Sequence, residues 1–174
     1  MCSCKNKSCC PRTPEVCKLL NYSVITEWLE SLSSLDMQRN SIVSRLSTST
    51  LGSSLDSELA SDINTYITEA RELDVSFKLY LEPFTDTGLK YTSSYKCMTK
   101  FLTIKEIQSY YTYSNIINQT ADNILNFVNN PDSILNQQIL TNFTCAFCSS
   151  SSLNFFLKSQ FSSASGSICL KTLY

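Results

Sequence analysis

Residues 53–83 read SSLDSELASDINTYITEARELDVSFKLYLEP, and this stretch decides the fold. Leu55, Leu59, Ile63, Tyr66, Ile67, Ala70, Leu73, Phe77 and Leu81 recur at intervals of three and four, the period of a single helix face. Charged and hydroxyl residues fill most of the other positions, so the helix has one apolar stripe and one solvated side. Ser53 or Ser54 is placed to cap it. Pro83 is placed to end it, since proline has no N–H to donate and crowds the preceding turn. One such helix cannot bury its stripe alone, so partners are required.

The same spacing recurs on both sides. Thr13-Pro14-Glu15 combines an N-cap, a first-turn proline and a first-turn acid. Val16, Leu19, Leu20, Val24, Ile25, Trp28, Leu29, Leu32 and Leu35 follow on one stripe, and Met37, Ile42, Val43 and Leu46 prolong it. This predicts a long first helix ending before Gly52, with Ser33-Ser34-Leu35-Asp36 as the place for a kink. Downstream, Thr103-Ile104-Lys105-Glu106 is a capping box. Ile104, Ile107, Tyr110, Tyr111, Ile117, Ala121, Ile124, Leu125 and Val128 then mark a third helix, stopped by Asn129-Asn130-Pro131. Its other faces carry Tyr111, Tyr113 and Phe127 and little charge, which suggests a partner covers part of it. Ile134, Leu135, Gln138 and Ile139 predict a short fourth helix over residues 132–141.

Two segments break the period. Residues 84–102, with Gly88 in a turn and Tyr91, Tyr95 and Phe101, are expected to be irregular or β. After Cys148 a serine run, Leu153-Asn154-Phe155-Phe156-Leu157, Phe161 and a second serine tract predict an extended tail. The expected fold is therefore mainly α: an antiparallel bundle of three long helices plus one short, a small irregular or β element near 84–102, and an extended C-terminal tail. The expected divisions are a cysteine-rich arm (1–12), the bundle (13–148) and a serine-rich tail with an aromatic docking segment (149–174).

Composition narrows the chemistry. The 174 residues contain no histidine, which excludes imidazole bases, Ser-His-Asp triads and histidine metal sites. Three glycines cannot build a P-loop or a dinucleotide fingerprint. Glu27, Glu30, Glu58, Asp62, Glu69, Glu72 and Asp74 read as solvated helix acids rather than catalysts. A net charge of −1 gives no field for nucleic acid. The lysines Lys90, Lys96, Lys100 and Lys105, interleaved with aromatics, are too few to change that, and nucleic acid is not an expected partner. No apolar run reaches the length of a membrane span, and the N-terminus is polar. The expected location is the cytoplasm or a virion, with peripheral membrane attachment if the arm is acylated. The sequons at Asn6, Asn21, Asn118 and Asn142 are then silent.

Five of nine cysteines, Cys2, Cys4, Cys9, Cys10 and Cys17, lie near the start of the chain beside Lys5, Lys7 and Arg12. Three sulfur chemistries fit. Cys145 and Cys148 have the spacing of a zinc knuckle, with completing ligands from the arm, Cys2 and Cys4, or from Cys97 or Cys169. Cys2, Cys4, Cys9 and Cys10 beside positive charge suit S-acylation. A cysteine-rich arm also suits cross-linking between chains in an oxidising particle. Leu153, Phe155, Phe156, Leu157 and Phe161 are the candidate partner-binding residues, for a protein partner or a second copy.

The leading expectation is a non-enzymatic structural or scaffolding subunit of a larger assembly, such as a minor capsid-associated virion component. The alternatives are a membrane-tethered helical adaptor anchored by acylation, and a zinc-binding regulatory protein. The stripes begin after residue 13, so deleting residues 2–12 is expected to leave helical circular dichroism and thermal unfolding nearly unchanged. A large fall in melting temperature would make the arm part of the fold.

Overall fold

The apolar stripes are buried against one another in four antiparallel helices. The computed structural model describes residues 22–85 and 104–165. Its helices are α1 (Tyr22–Ser47), α2 (Ser57–Thr85), α3 (Ile104–Val128) and α4 (Gln137–Ser165). Each helix packs on the next in the chain, and α4 returns to pack on α1, which places the four around a square. Cross-helix bonds show the alternating directions. Gln38 and Arg45 of α1 reach Glu69 and Asp62 of α2, while Arg71 and Asp74 of α2 meet Asp122 and Tyr110 of α3.

The bundle is closed at one end by its two described loops. The amide of Gly52 donates to the carbonyl of Leu135 at 2.8 Å, and the amide of Leu135 donates to the carbonyl of Ser53 at 2.9 Å. Leu135 is thereby carried into the core. Gly52 has φ +84°, a conformation that side chains rarely adopt, although the space beside it is open. Glycine is needed there for the backbone and not for clearance.

Within the bundle, Leu35, Ile42, Leu46, Leu59, Ile63, Tyr66, Ile67, Ala121, Ile124, Phe143 and Phe147 form one buried cluster. Toward the other end Trp28, Phe77 and Tyr110 stack edge to face, with centroids 5.0 and 4.8 Å apart. Apart from Phe143 and Phe147, these residues belong to the stripes read from the sequence, and the α3 start and the α3 stop fall where the capping box and Asn129-Asn130-Pro131 put them.

Several boundaries differ. Asp56, not Ser53 or Ser54, caps α2, its carboxylate accepting the Leu59 amide at 3.0 Å. Ser53 is occupied in the loop, where its hydroxyl donates to the Thr50 carbonyl. Helix α2 continues to Thr85, beyond Pro83. Proline costs the bond its own nitrogen would make and crowds the preceding turn, yet with only two helical residues after it the helix runs on to its end at Thr85. Helix α1 is continuous through Ser33-Ser34-Leu35-Asp36. The start proposed at Thr13 lies outside the described residues.

The largest correction concerns the C-terminal third. The fourth helix is not short and residues 149–165 are not extended: α4 has 29 residues and crosses the boundary drawn at 148. Asn136 caps it, accepting the Ile139 amide at 2.9 Å. Its serines are held in helical form, Ser149 and Ser152 donating to the carbonyls of Cys145 and Cys148. Among the described residues there is no strand. Phe84 and Thr85 are helical, and the rest of the expected irregular or β element lies outside the described residues.

Ile63 is fully buried, whereas Ile117, expected to be equally central, is only half-buried. In urea denaturation, Ile63→Ala is expected to cost about 2–5 kcal/mol and Ile117→Ala distinctly less. Asp62→Ala removes one exposed partner of Arg45 and is expected to cost at most about 1 kcal/mol. Equal losses at positions 62 and 63 would contradict the buried face described.

Candidate functional site

Polar side chains converge where α2 and α3 face each other. Asp74 of α2 accepts hydrogen bonds from the hydroxyls of Tyr110 (2.5 Å) and Ser114 (2.6 Å) and from Asn118 Nδ2 (3.0 Å), all on α3. Lys78, one turn along α2, completes the set at 2.8 Å. Tyr110, Ser114 and Asn118 are four residues apart in succession, so one helix face presents all three. The Asp74 side chain is only 14% exposed. Burial by itself would raise its pKa, but the bonds from Lys78, Ser114 and Tyr110 outweigh burial and hold the carboxyl below its ordinary value. Tyr110 moves the other way. Burial, then the adjacent Asp74 charge and the bond to it, push the phenol far up, so it stays neutral and donates.

A second cluster joins α1 to α4. Asp36 accepts from Arg39 (2.5 Å), Asn154 (3.2 Å) and Lys158. Burial again opposes the charge, and Lys158, Asn154 and Arg39 together hold the Asp36 carboxyl low. Across the core the Tyr66 hydroxyl lies 2.6 Å from the Ser150 hydroxyl, and burial raises the Tyr66 pKa despite that bond.

Between these clusters lies a cavity of about 130 Å³ that opens between α3 and α4. It exists because small side chains face one another across the bundle: Ala70 of α2, Ser114 and Ala121 of α3, and Ala146 and Ser150 of α4. Larger residues at these positions would fill it. Trp28, Phe77, Ile117, Phe147 and Leu157 are among the apolar side chains of its wall.

Outside, the two halves of the bundle differ in charge. Helices α1 and α2 carry most of the acids and arginines, many of them paired, such as Arg45 with Asp56, Glu58 and Asp62. Helix α4 has Lys158 as its single charged residue, and α3 has none between Glu106 and Asp122. Tyr113 and Ile116 of α3 are exposed, as is Phe155 of α4 at 75%.

The sequence-predicted residues separate on this framework. Leu157 is buried in the chain's own core, Leu153 and Phe156 are half-buried, and Phe155 points outward. Phe161 lies in α4, with its side chain outside the described residues. Cys145 and Cys148 are exposed free thiols one turn apart on α4. Among the described residues no three potential metal-ligating side chains gather, so any zinc at this pair would need ligands from elsewhere. Cys2, Cys4, Cys9, Cys10, Cys97 and Cys169 lie outside the described residues, as do Lys90, Lys96 and Lys100.

Asp74 is the acid that the sequence reading misplaced on a solvated face. The available signal was the polar trio Tyr110, Ser114 and Asn118 recurring every fourth residue inside an apolar helix. Asn118 is also the sequon residue whose amide is engaged by Asp74.

Neither a protein-family model, nor a curated protein, nor a solved structure matches the chain. Among the described residues no helix is long and apolar enough to cross a membrane.

A carboxyl whose folded pKa lies below its unfolded value adds stability above the unfolded value and loses it as pH falls through both. Asp36 and Asp74 are both lowered from 3.8. Stability is therefore expected to be level at neutral pH and to fall below about pH 4–5. Asp74→Ala strands the Tyr110, Ser114 and Lys78 donors and is expected to cost roughly 2 kcal/mol or more at pH 7. The gap from wild type should narrow at pH 3 in urea denaturation; a gap independent of pH would remove Asp74 from the acid response.

Proposed function

We propose that this chain is a non-enzymatic structural subunit that self-associates through the outward face of α3 and α4. The observation that carries the reading is the near absence of charge along α3 and α4, whose exposed apolar side chains are Tyr113 and Ile116 on α3 and Phe155 on α4. In a two-fold contact a surface meets its own copy, so a charge near the axis approaches its own twin and any other must find an opposite charge elsewhere on the same surface. A face with almost no charges escapes this penalty and still offers apolar area. Phe155 is the natural anchor, since exposed aromatic residues dominate the energetics of such contacts.

A structural role also fits the acids. The Asp74 carboxylate already receives four donors from Tyr110, Ser114, Asn118 and Lys78, so it has little capacity left to take a proton from a substrate. Asp36 is tied to Lys158, Asn154 and Arg39 in the same manner.

Exposure separates assembly from folding within the same helix. Phe155→Ser is expected to shift the protein toward monomer in sedimentation or light scattering, with helicity and melting temperature unchanged. Leu157→Ala, at a buried position, is expected to cost about 2–5 kcal/mol of stability. A Phe155→Ser protein that associates as the wild type does would rule out this face as the contact.

A further inference from the structure

The α3–α4 cavity has a size and a wall that suit a ligand of its own. We infer that the cavity bounded by Ala70, Ala121, Ala146, Ile117, Phe147 and Leu157 is a binding site for a small, neutral, mainly apolar molecule of about one aromatic ring.

Size comes first. The cavity measures about 130 Å³. An engineered apolar cavity of about 150 Å³ in another protein stays dry and takes up benzene or xenon. The space here is close to that and is lined on most sides by carbon.

The wall then sets the chemistry. Its charged residues are already partnered inside the protein. Asp74 is bonded to Lys78 and to three neutral donors, and Arg71 bonds to Asp122 and to the Asn118 carbonyl. A charged ligand would have to displace one of these partners or sit unpaired among apolar side chains, either of which is costly. One polar opportunity remains. Tyr66 and Ser150 share a single hydrogen bond, so the hydroxyl that accepts it still has its own proton to donate. A ligand with one acceptor could use that proton, and one with several polar groups could not be satisfied.

Access is provided on the same side. Ile116 is exposed, while Thr120, Ser150 and Leu153 are half-buried, and all four line the cavity where α3 and α4 lie side by side. A molecule can enter without unfolding a helix. The cavity arises from small residues on three helices, so it is a feature of the packed bundle; its mouth, beside Ile116, shares the surface proposed for self-association, so the test is also run on Phe155→Ser.

The test is thermal unfolding of the full chain with benzene, and with benzoate as the charged counterpart. With benzene tenfold above its dissociation constant, the midpoint is expected to rise by about 3–6 °C and to saturate as a single site. No rise at any benzene concentration would overturn the inference, as would an equal rise with benzoate. Ala146→Leu places a larger side chain in the cavity and should abolish the response; Ala121→Val serves the same purpose if the first variant does not fold. A response retained in a folded filling variant would place benzene elsewhere and overturn the site.

Discussion

The carboxylate of Asp74 is the constraint on which the rest of the bundle depends. An ion placed among aromatic and aliphatic side chains is tolerated only when its lone pairs are met. Three of its donors, Tyr110, Ser114 and Asn118, come from one face of α3, so a slip of α3 along α2 would leave the carboxylate with Lys78 as its one remaining partner. Apolar stripes alone do not enforce this. Leucine and isoleucine accept many neighbours, whereas a buried carboxylate accepts few. Asp36 does the same for α4 against α1, through Asn154 and Lys158.

Those two clusters explain why the cavity persists. With α3 held to α2 and α4 held to α1, the remaining pair, α3 and α4, is free to stand slightly apart where their facing residues are small. Toward the loop end the same pair is bridged by Phe127 and Phe143, edge to face at 5.4 Å. The Gly52–Leu135 and Leu135–Ser53 backbone bonds tie the two loops together there. One end of the bundle is thus tied by rings and backbone, and the middle is left open by alanine and serine. The outer surface follows the same division, with charge concentrated on α1 and α2 and nearly absent from α3 and α4.

Helices α1, α2 and α3 were legible because their apolar residues repeat without interruption, and periodicity survives loss of all other information. Helix α4 was half-hidden for a physical reason. Serine competes with the backbone for hydrogen bonds and is usually read as a loop former. In place, Ser149 and Ser152 satisfy themselves on the carbonyls one turn back, and Ser150 meets Tyr66 across the core. Tertiary contact therefore outweighs a weak local preference. The segment Leu153-Asn154-Phe155-Phe156-Leu157 looked like one apolar patch, yet a helix turns its residues in different directions. Leu157 and Asn154 go inward, and Phe155 goes out.

The sequence by itself determined that this protein is helical, that it has no imidazole chemistry, and which residues form most of the core, because each of these follows from composition or from a 3.6-residue period. Only the tertiary structure decided that Asp74 is a half-buried keystone and not a solvated acid, that small residues leave a cavity beside α3 and α4, and that Phe155 alone of its segment is exposed. Those properties depend on which faces of different helices meet. That information is spread over residues tens of positions apart, where a local period carries no trace of it.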